Sequence, residues 1–198
     1  MLLAHRPVPA ENLKDLIALA KAQPGKINFG SAGVGSAPHL AGEQLRRAAG
    51  IDINHVPYKG GGPLVNDLLA GHLQLGFTTV PTMVEHVRAG TVRAIAVTGG
   101  ARAGQLPATG TFAEQGLAAV DATPIFGLIA PAHVPAALIE RYSAAASAAV
   151  RANPLRNRLI EMGFTPIGST ADEYKLRIER EIAKWSDVIR AGNIQPGS

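Results

Sequence analysis

Three times before residue 90, an apolar run enters a short loop of glycine, serine or threonine and then meets a proline ahead of an amphipathic stretch. The first unit is Ile27–Gly30, Ser31–Ser36 and Pro38; the second is Ile53–Val56, Tyr58–Gly62 and Pro63; the third is Leu73–Phe77, Thr78–Thr79 and Pro81. Proline is tolerated in the first turn of a helix, where its missing N–H would have no partner anyway. Each loop therefore delivers the chain to a helix N-terminus, whose free N–H groups and dipole favour an anion. If the strands run parallel, the three termini share one edge of one sheet, the edge at which open α/β folds bind ligands. The repeat points to a small anion, a carboxylate, held largely by backbone.

The flanking pattern extends this architecture. Residues 12–22 predict a helix with Leu13, Leu16, Ile17 and Ala20 on one face and Asn12 as its cap. Val92–Val97 predicts a fourth strand, buried on both faces. Alternating strands and helices imply right-handed crossovers and a mostly parallel sheet. A connection rich in Gly, Ala and Pro follows, with a short helix expected near Phe112–Gln115 and a strand over Ile125–Ala130. The remainder predicts helices over 135–152, 154–162 and 170–192, the last opened by a Thr170/Glu173 capping box and closed at Gly192, with a short strand near Thr165–Ile167. Three apolar helix faces need a surface to cover. The nearby strands are too short to supply one.

Composition narrows the function. The 198 residues contain no cysteine, which excludes disulfides, Cys-ligated zinc, iron–sulfur clusters and thiol catalysis. The net charge of +4 is mild and its 19 basic residues are scattered, while aromatics make up only 5%; no nucleic-acid partner is expected. No run reaches the roughly 18 apolar residues of a membrane-spanning helix. Met1–Arg6 lacks the basic and apolar regions of a signal peptide.

Among candidate residues, the Gly33/Gly35 loop departs from the dinucleotide fingerprint, with Pro38 where a third glycine would stand and no acidic residue after the next strand. Ser31 and Ser36 add hydroxyls to the loop amides. His39 sits in the first helical turn, where it donates to a ligand, caps or packs. Tyr58 and Lys59 precede three glycines that form no Walker phosphate loop. Thr78 and Thr79 end the third strand, where N-capping and ligand binding are compatible. His55, His72, His86 and His133 stand isolated. No residues combine as nucleophile, base and orienting group, and no acidic or histidine cluster has metal-ligand spacing, so neither an enzyme, a cofactor nor a metal is expected.

The segments GSAGVGSAPHL at 30–40, HVPYKGGGPLVNDLLAGHLQLGF at 55–77 and AGTVRAIAVTG at 89–99 resemble the Bug family, the periplasmic solute-binding receptors of tripartite tricarboxylate transporters. FGLIAPAHVP at 126–135, MGFTPIGSTADEY at 162–174 and a final helix bearing Trp185 extend the resemblance over nearly the whole chain. It implies an α/β, type II periplasmic-binding-protein-like fold, a Venus flytrap that closes on a carboxylated solute by hinge motion, and hence a periplasmic location. Family ligands include acidic amino acids, citrate and other di- or tricarboxylates, and aromatic acids. The resemblance maps binding onto Ser31, Ala32, Gly33, Gly35, Ser36, His39, Tyr58 and Lys59. The family often carries Asp near position 78; Thr78 here favours a plain carboxylate over an amino acid.

Family members are about half as long again. The resemblance therefore implies one nearly complete lobe, residues 8–118, plus the C-terminal half of the other, residues 1–7 and 119–198, mostly helical. Hinges are expected near 4–8 and 118–126. With one jaw reduced, weak binding or none is expected, and the exposed helix faces predict marginal stability or self-association. The partners implied are a small carboxylate and membrane transporter subunits; a ligand-sensing or scaffold role, or a truncated fragment without function, are the alternatives.

Overall fold

A computed structural model describes residues 1–192 and 194. Five strands, β1 (Leu2–His5), β2 (Asn28–Ser31), β3 (Asn54–Pro57), β4 (Leu75–Phe77) and β5 (Val92–Ala96), form one sheet in the order β3-β2-β4-β1-β5. β2 pairs parallel with both β3 and β4, whereas β1 runs antiparallel to β4 and to β5. The three strand–loop–proline units thus become parallel strands as predicted, and the mixed character comes from β1 alone.

Residues 1–7, which the resemblance groups with the remnant of the other lobe, include the inner strand β1 of this sheet. Leu2, Leu3 and Ala4 are completely buried, and Leu3 lies opposite Gly76 on β4 and Ala94 on β5. A four-residue apolar run carries no period-2 alternation when both faces of the sheet are covered, so it left no strand signature.

Between the strands lie α1 (Leu13–Ala22), α2 (Ala37–Ala49), α3 (Gly61–Ala70) and α4 (Val80–Arg88). Asn12 caps α1 as expected, its side chain accepting the Asp15 N–H at 3.0 Å. Side-chain alternation along the strands sorts the core. On one face, Gly30 and Gly76 stand opposite each other on β2 and β4, and the bare backbone lets Leu64 and Leu68 of α3 lie directly on the sheet. On the other face Phe29 meets Phe77 edge-on at 6.0 Å, Phe77 stacks with Phe112, and Gly42 of α2 passes over the Phe29 ring. The Phe112–Gln115 helix does not form; the segment is a turn in which Thr111 Oγ1 accepts the Glu114 N–H and Glu114 Oε2 accepts the Thr111 N–H. That reciprocal cap closes one turn, and Leu117 ends it by donating to the Phe112 carbonyl.

The chain divides into two compact units, Met1–Pro124 with the chain end from Val188, and Ile125–Asp187. The second contains α5 (Ala136–Arg151), α6 (Asn153–Glu161) and most of α7 (Ala171–Gly192). The Thr170/Glu173 capping box is present, Thr170 N donating to Glu173 Oε2 at 2.8 Å and Glu173 N to Thr170 Oγ1 at 3.2 Å. The expected strands at Ile125–Ala130 and Thr165–Ile167 are absent. A strand exists only through its ladder, and among the described residues neither segment has one; Leu128 and Ile129 are 82% and 87% exposed. No residue of α5 or α6 is buried.

Candidate functional site

Parallel pairing puts the C-terminal ends of β2, β3 and β4 at one edge of the sheet, with Ser31 opposite Pro57 and Gly30 opposite Gly76. The loops that follow, and the N-termini of α2, α3 and α4, share that edge. All ten residues singled out from the sequence lie at the end of β2, in these loops or in the first turn of α2, but they play different parts.

Ser31 is completely buried and its hydroxyl is spent inside the loop, 3.1 Å from the Gly33 carbonyl and 2.7 Å from His55 Nε2. Ser36 caps α2, its Oγ donating to the Gly33 carbonyl at 2.7 Å and accepting the His39 N–H at 3.4 Å. Gly35 (φ 76°) holds a left-handed conformation that turns its N–H inward, onto Nδ1 of His39 at 3.0 Å. Gly33 N–H reaches Ser31 Oγ at 3.4 Å. The two glycine amides of this loop therefore bond to the elements flanking it, β2 and α2, rather than outward. Ala32 ties it to the neighbouring loop, accepting Gly60 N–H at 3.3 Å, while Ser31 O accepts Tyr58 N–H at 2.9 Å.

The Tyr58 phenol turns away from the sheet edge and donates to Asp67 of α3 at 2.6 Å. Burial, followed by the Asp67 contact, pushes its pKa up to about 12. The hydrogen bond from Tyr58, then that with His72, in turn holds the Asp67 carboxyl below its usual range. Lys59 is exposed. Thr78 is buried and extends the β-ladder, its carbonyl accepting from Met1 N at 2.7 Å and its N–H donating to Met1 O at 3.1 Å. Thr79 occupies the cap position of α4, but its hydroxyl pairs with Thr82 Oγ1 at 2.8 Å instead of capping backbone. Gly60 caps α3 with no side chain. The N-termini of α3 and α4 thus reach the edge without side-chain caps, leaving N–H groups of their first turns to another acceptor. A small recess at the same edge is lined by Met1, Pro38, Phe77, Thr78, Thr79 and Thr98, among others.

His55 was not singled out. Its ring stacks on that of His39, centroids 3.8 Å apart and planes 16° apart, and lies 5.0 Å from the Phe29 ring. Burial pushes its pKa down to about 4, helped by His39 and Arg46. His39 is also lowered, mainly by burial; Glu43 opposes the shift and Arg46 reinforces it. The β2–β3 register sets His55 opposite Phe29, a pairing that no local sequence pattern encodes. Asp67 was missed for want of any motif around it. Among the described residues no group of three or more His, Asp or Glu side chains is placed to hold a metal, and no helix is long and apolar enough to cross a membrane.

A profile described as "Tripartite tricarboxylate transporter family receptor" matches residues 1–194. Protein BugT of Bordetella pertussis is 33% identical over 190 residues, covering 96% of this chain and 58% of BugT. Rpa4515 of R. palustris, solved with adipate, superimposes with a TM-score of 0.93 at 28% identity, over 100% of this chain and 66% of that one. MatC (Rpa3494) from Rhodopseudomonas palustris, solved with bound malate, gives 0.83 at 26% identity, over 96% of this chain and 65% of that one. The chain spans just over half the length of BugT and about two thirds of these two solved proteins.

Proposed function

This chain belongs to the tripartite tricarboxylate transporter receptor family, and from that premise we propose that its shared loop edge binds one carboxylate of a small dicarboxylate, for delivery in the periplasm to membrane transporter subunits. The observation that carries the proposal is the convergence of three helix N-termini on one sheet edge, two of them without side-chain caps. A carboxylate there accepts first-turn N–H groups that no side-chain cap takes, and charged hydrogen bonds of this kind contribute about 1.5–3 kcal/mol each. The loops 31–37, 57–62 and 78–80 contain no Asp or Glu, so nothing at this edge repels an anion or pairs with an ammonium group. This favours a plain dicarboxylate over an amino acid, in keeping with the adipate and malate bound by two similar proteins. Ser31 Oγ lies 2.7 Å from His55 Nε2, but that hydroxyl is completely buried and bonded within the loop, so the role is reception rather than turnover. The amides of Gly61, Gly62, Val80 and Thr82 are the proposed donors; Ser31, Ser36 and Tyr58 hold the loops that present them.

Thermal melts of the chain with adipate, malate, aspartate and the uncharged diamide of adipate test this. A native-state ligand at one hundred times its dissociation constant adds about 2.7 kcal/mol. The proposal predicts a rise in Tm with the dicarboxylates and none with the diamide. An equal rise with the diamide, or stabilisation by aspartate alone, overturns it.

A further inference from the structure

The stacked imidazoles of His39 and His55 lie beneath the β2–α2 loop and each makes one polar contact with it: Nδ1 of His39 accepts Gly35 N–H at 3.0 Å, and Nε2 of His55 meets Ser31 Oγ at 2.7 Å. We infer that the two rings are positioning residues, a clamp that fixes the β2–α2 loop only while the His39 ring is neutral. The functional consequence rests on the carboxylate reading of the neighbouring loop edge, which this loop braces where Ala32 O accepts Gly60 N–H at 3.3 Å; the geometry does not.

The chemistry dictates the protonation state. A backbone N–H can bond to Nδ1 of His39 only if that nitrogen carries a lone pair, which leaves the proton on Nε2. Protonating the ring sets donor against donor at Gly35. A charge on either ring also lies 3.8 Å from its neighbour's centroid, in a site where His39 is only 5% exposed. The charged groups facing the pair are Glu43 and Arg46, both on α2; β2 offers only Asn28, Phe29, Gly30 and Ser31, and β3 has no titratable residue besides His55 itself. Glu43 is the one anion able to stabilise an imidazolium. It is already gripped by Arg46 Nη1 at 2.9 and 3.0 Å from its two oxygens, against 3.8 Å to Nε2 of His39. Burial pushes both rings toward the neutral form, His55 down to about 4, and the clamp therefore stays set across neutral pH.

Nitrogen-15 spectra of the ring nitrogens and of the Gly35 amide, followed from about pH 8 to about pH 4, test this without any ligand. The expected result is a neutral Nε2–H tautomer for His39, no protonation of either ring near its ordinary pKa of about 6.5, and a Gly35 amide that shifts together with the rings once they titrate. A His39 proton on Nδ1 at neutral pH, titration near 6.5, or a Gly35 amide indifferent to ring protonation overturns the inference. Two variants read the consequence with adipate as probe. H39L removes the acceptor and is expected to weaken binding at least tenfold, whereas H39N keeps an acceptor near the Nδ1 position and recovers most of that loss. Equal losses in both overturn the clamp. If the unaltered chain binds no adipate, the ligand reading fails, and the ring tautomer and the Gly35 shift still decide the clamp.

Discussion

At the scale of single residues, the loop edge is built by small side chains bonding to the loop itself, and buried groups there respond predictably to change. Gly42 passes over the ring of Phe29, which is itself enclosed by Phe77 and His55 and has no exposed surface. A methyl group at position 42 would overlap that ring, so G42A is expected to destabilise by about 1–2 kcal/mol even though alanine gains up to ~1 kcal/mol of helix propensity; urea unfolding measures the balance. His55 gives a pH signature. Its pKa is depressed to about 4 in the folded chain, below its ordinary value, so the unfolded chain takes up the proton first. The stability it contributes is complete above about pH 6.5 and is lost as pH falls toward about 4, by at most about 3 kcal/mol. His39, also depressed, drains in the same direction. Unfolding free energies measured along that range should fall, and H55N should flatten the slope.

At the scale of elements, four strands and the seven helices found among the described residues follow from apolar period, caps and proline placement, because each of those signals is local. Asn12 capping Asp15 N–H is typical: N12A is expected to cost α1 about 1 kcal/mol, read as a lower unfolding midpoint. What local pattern does not encode is partnership. Leu2–His5 and Ile125–Ala130 are both short apolar runs, yet the first becomes an inner strand between β4 and β5 while the second has no ladder among the described residues. The site divides in the same way. The loops and their shared edge were legible from Gly, Ser, Thr and Pro spacing; that Tyr58 would turn to Asp67, or His39 to Gly35 and His55, depends on contacts between elements distant in sequence.

At the scale of the whole molecule, the two units differ in how they bury apolar surface. Met1–Pro124 encloses its core on both faces of a sheet. Ile125–Asp187 exposes Phe126, Leu128, Ile129, Tyr142, Ile167 and Ile182, each by more than half. We propose, as the sequence led us to expect, that this surface drives self-association of the 198-residue chain. Sedimentation velocity should show a weight-average coefficient rising with concentration, and a constant monomer value would contradict it. The ladderless run Phe126–Ala130 is the expected point of proteolytic nicking, releasing a stable fragment that ends near Pro124. The central claim, a carboxylate held on backbone at the loop edge, is tested most directly by amide shift mapping with adipate. The account predicts that the Gly61, Gly62, Val80 and Thr82 amides move together and saturate at one common affinity. Shifts confined to Ile125–Asp187, or a saturating thermal shift that leaves those four amides unmoved, would contradict it.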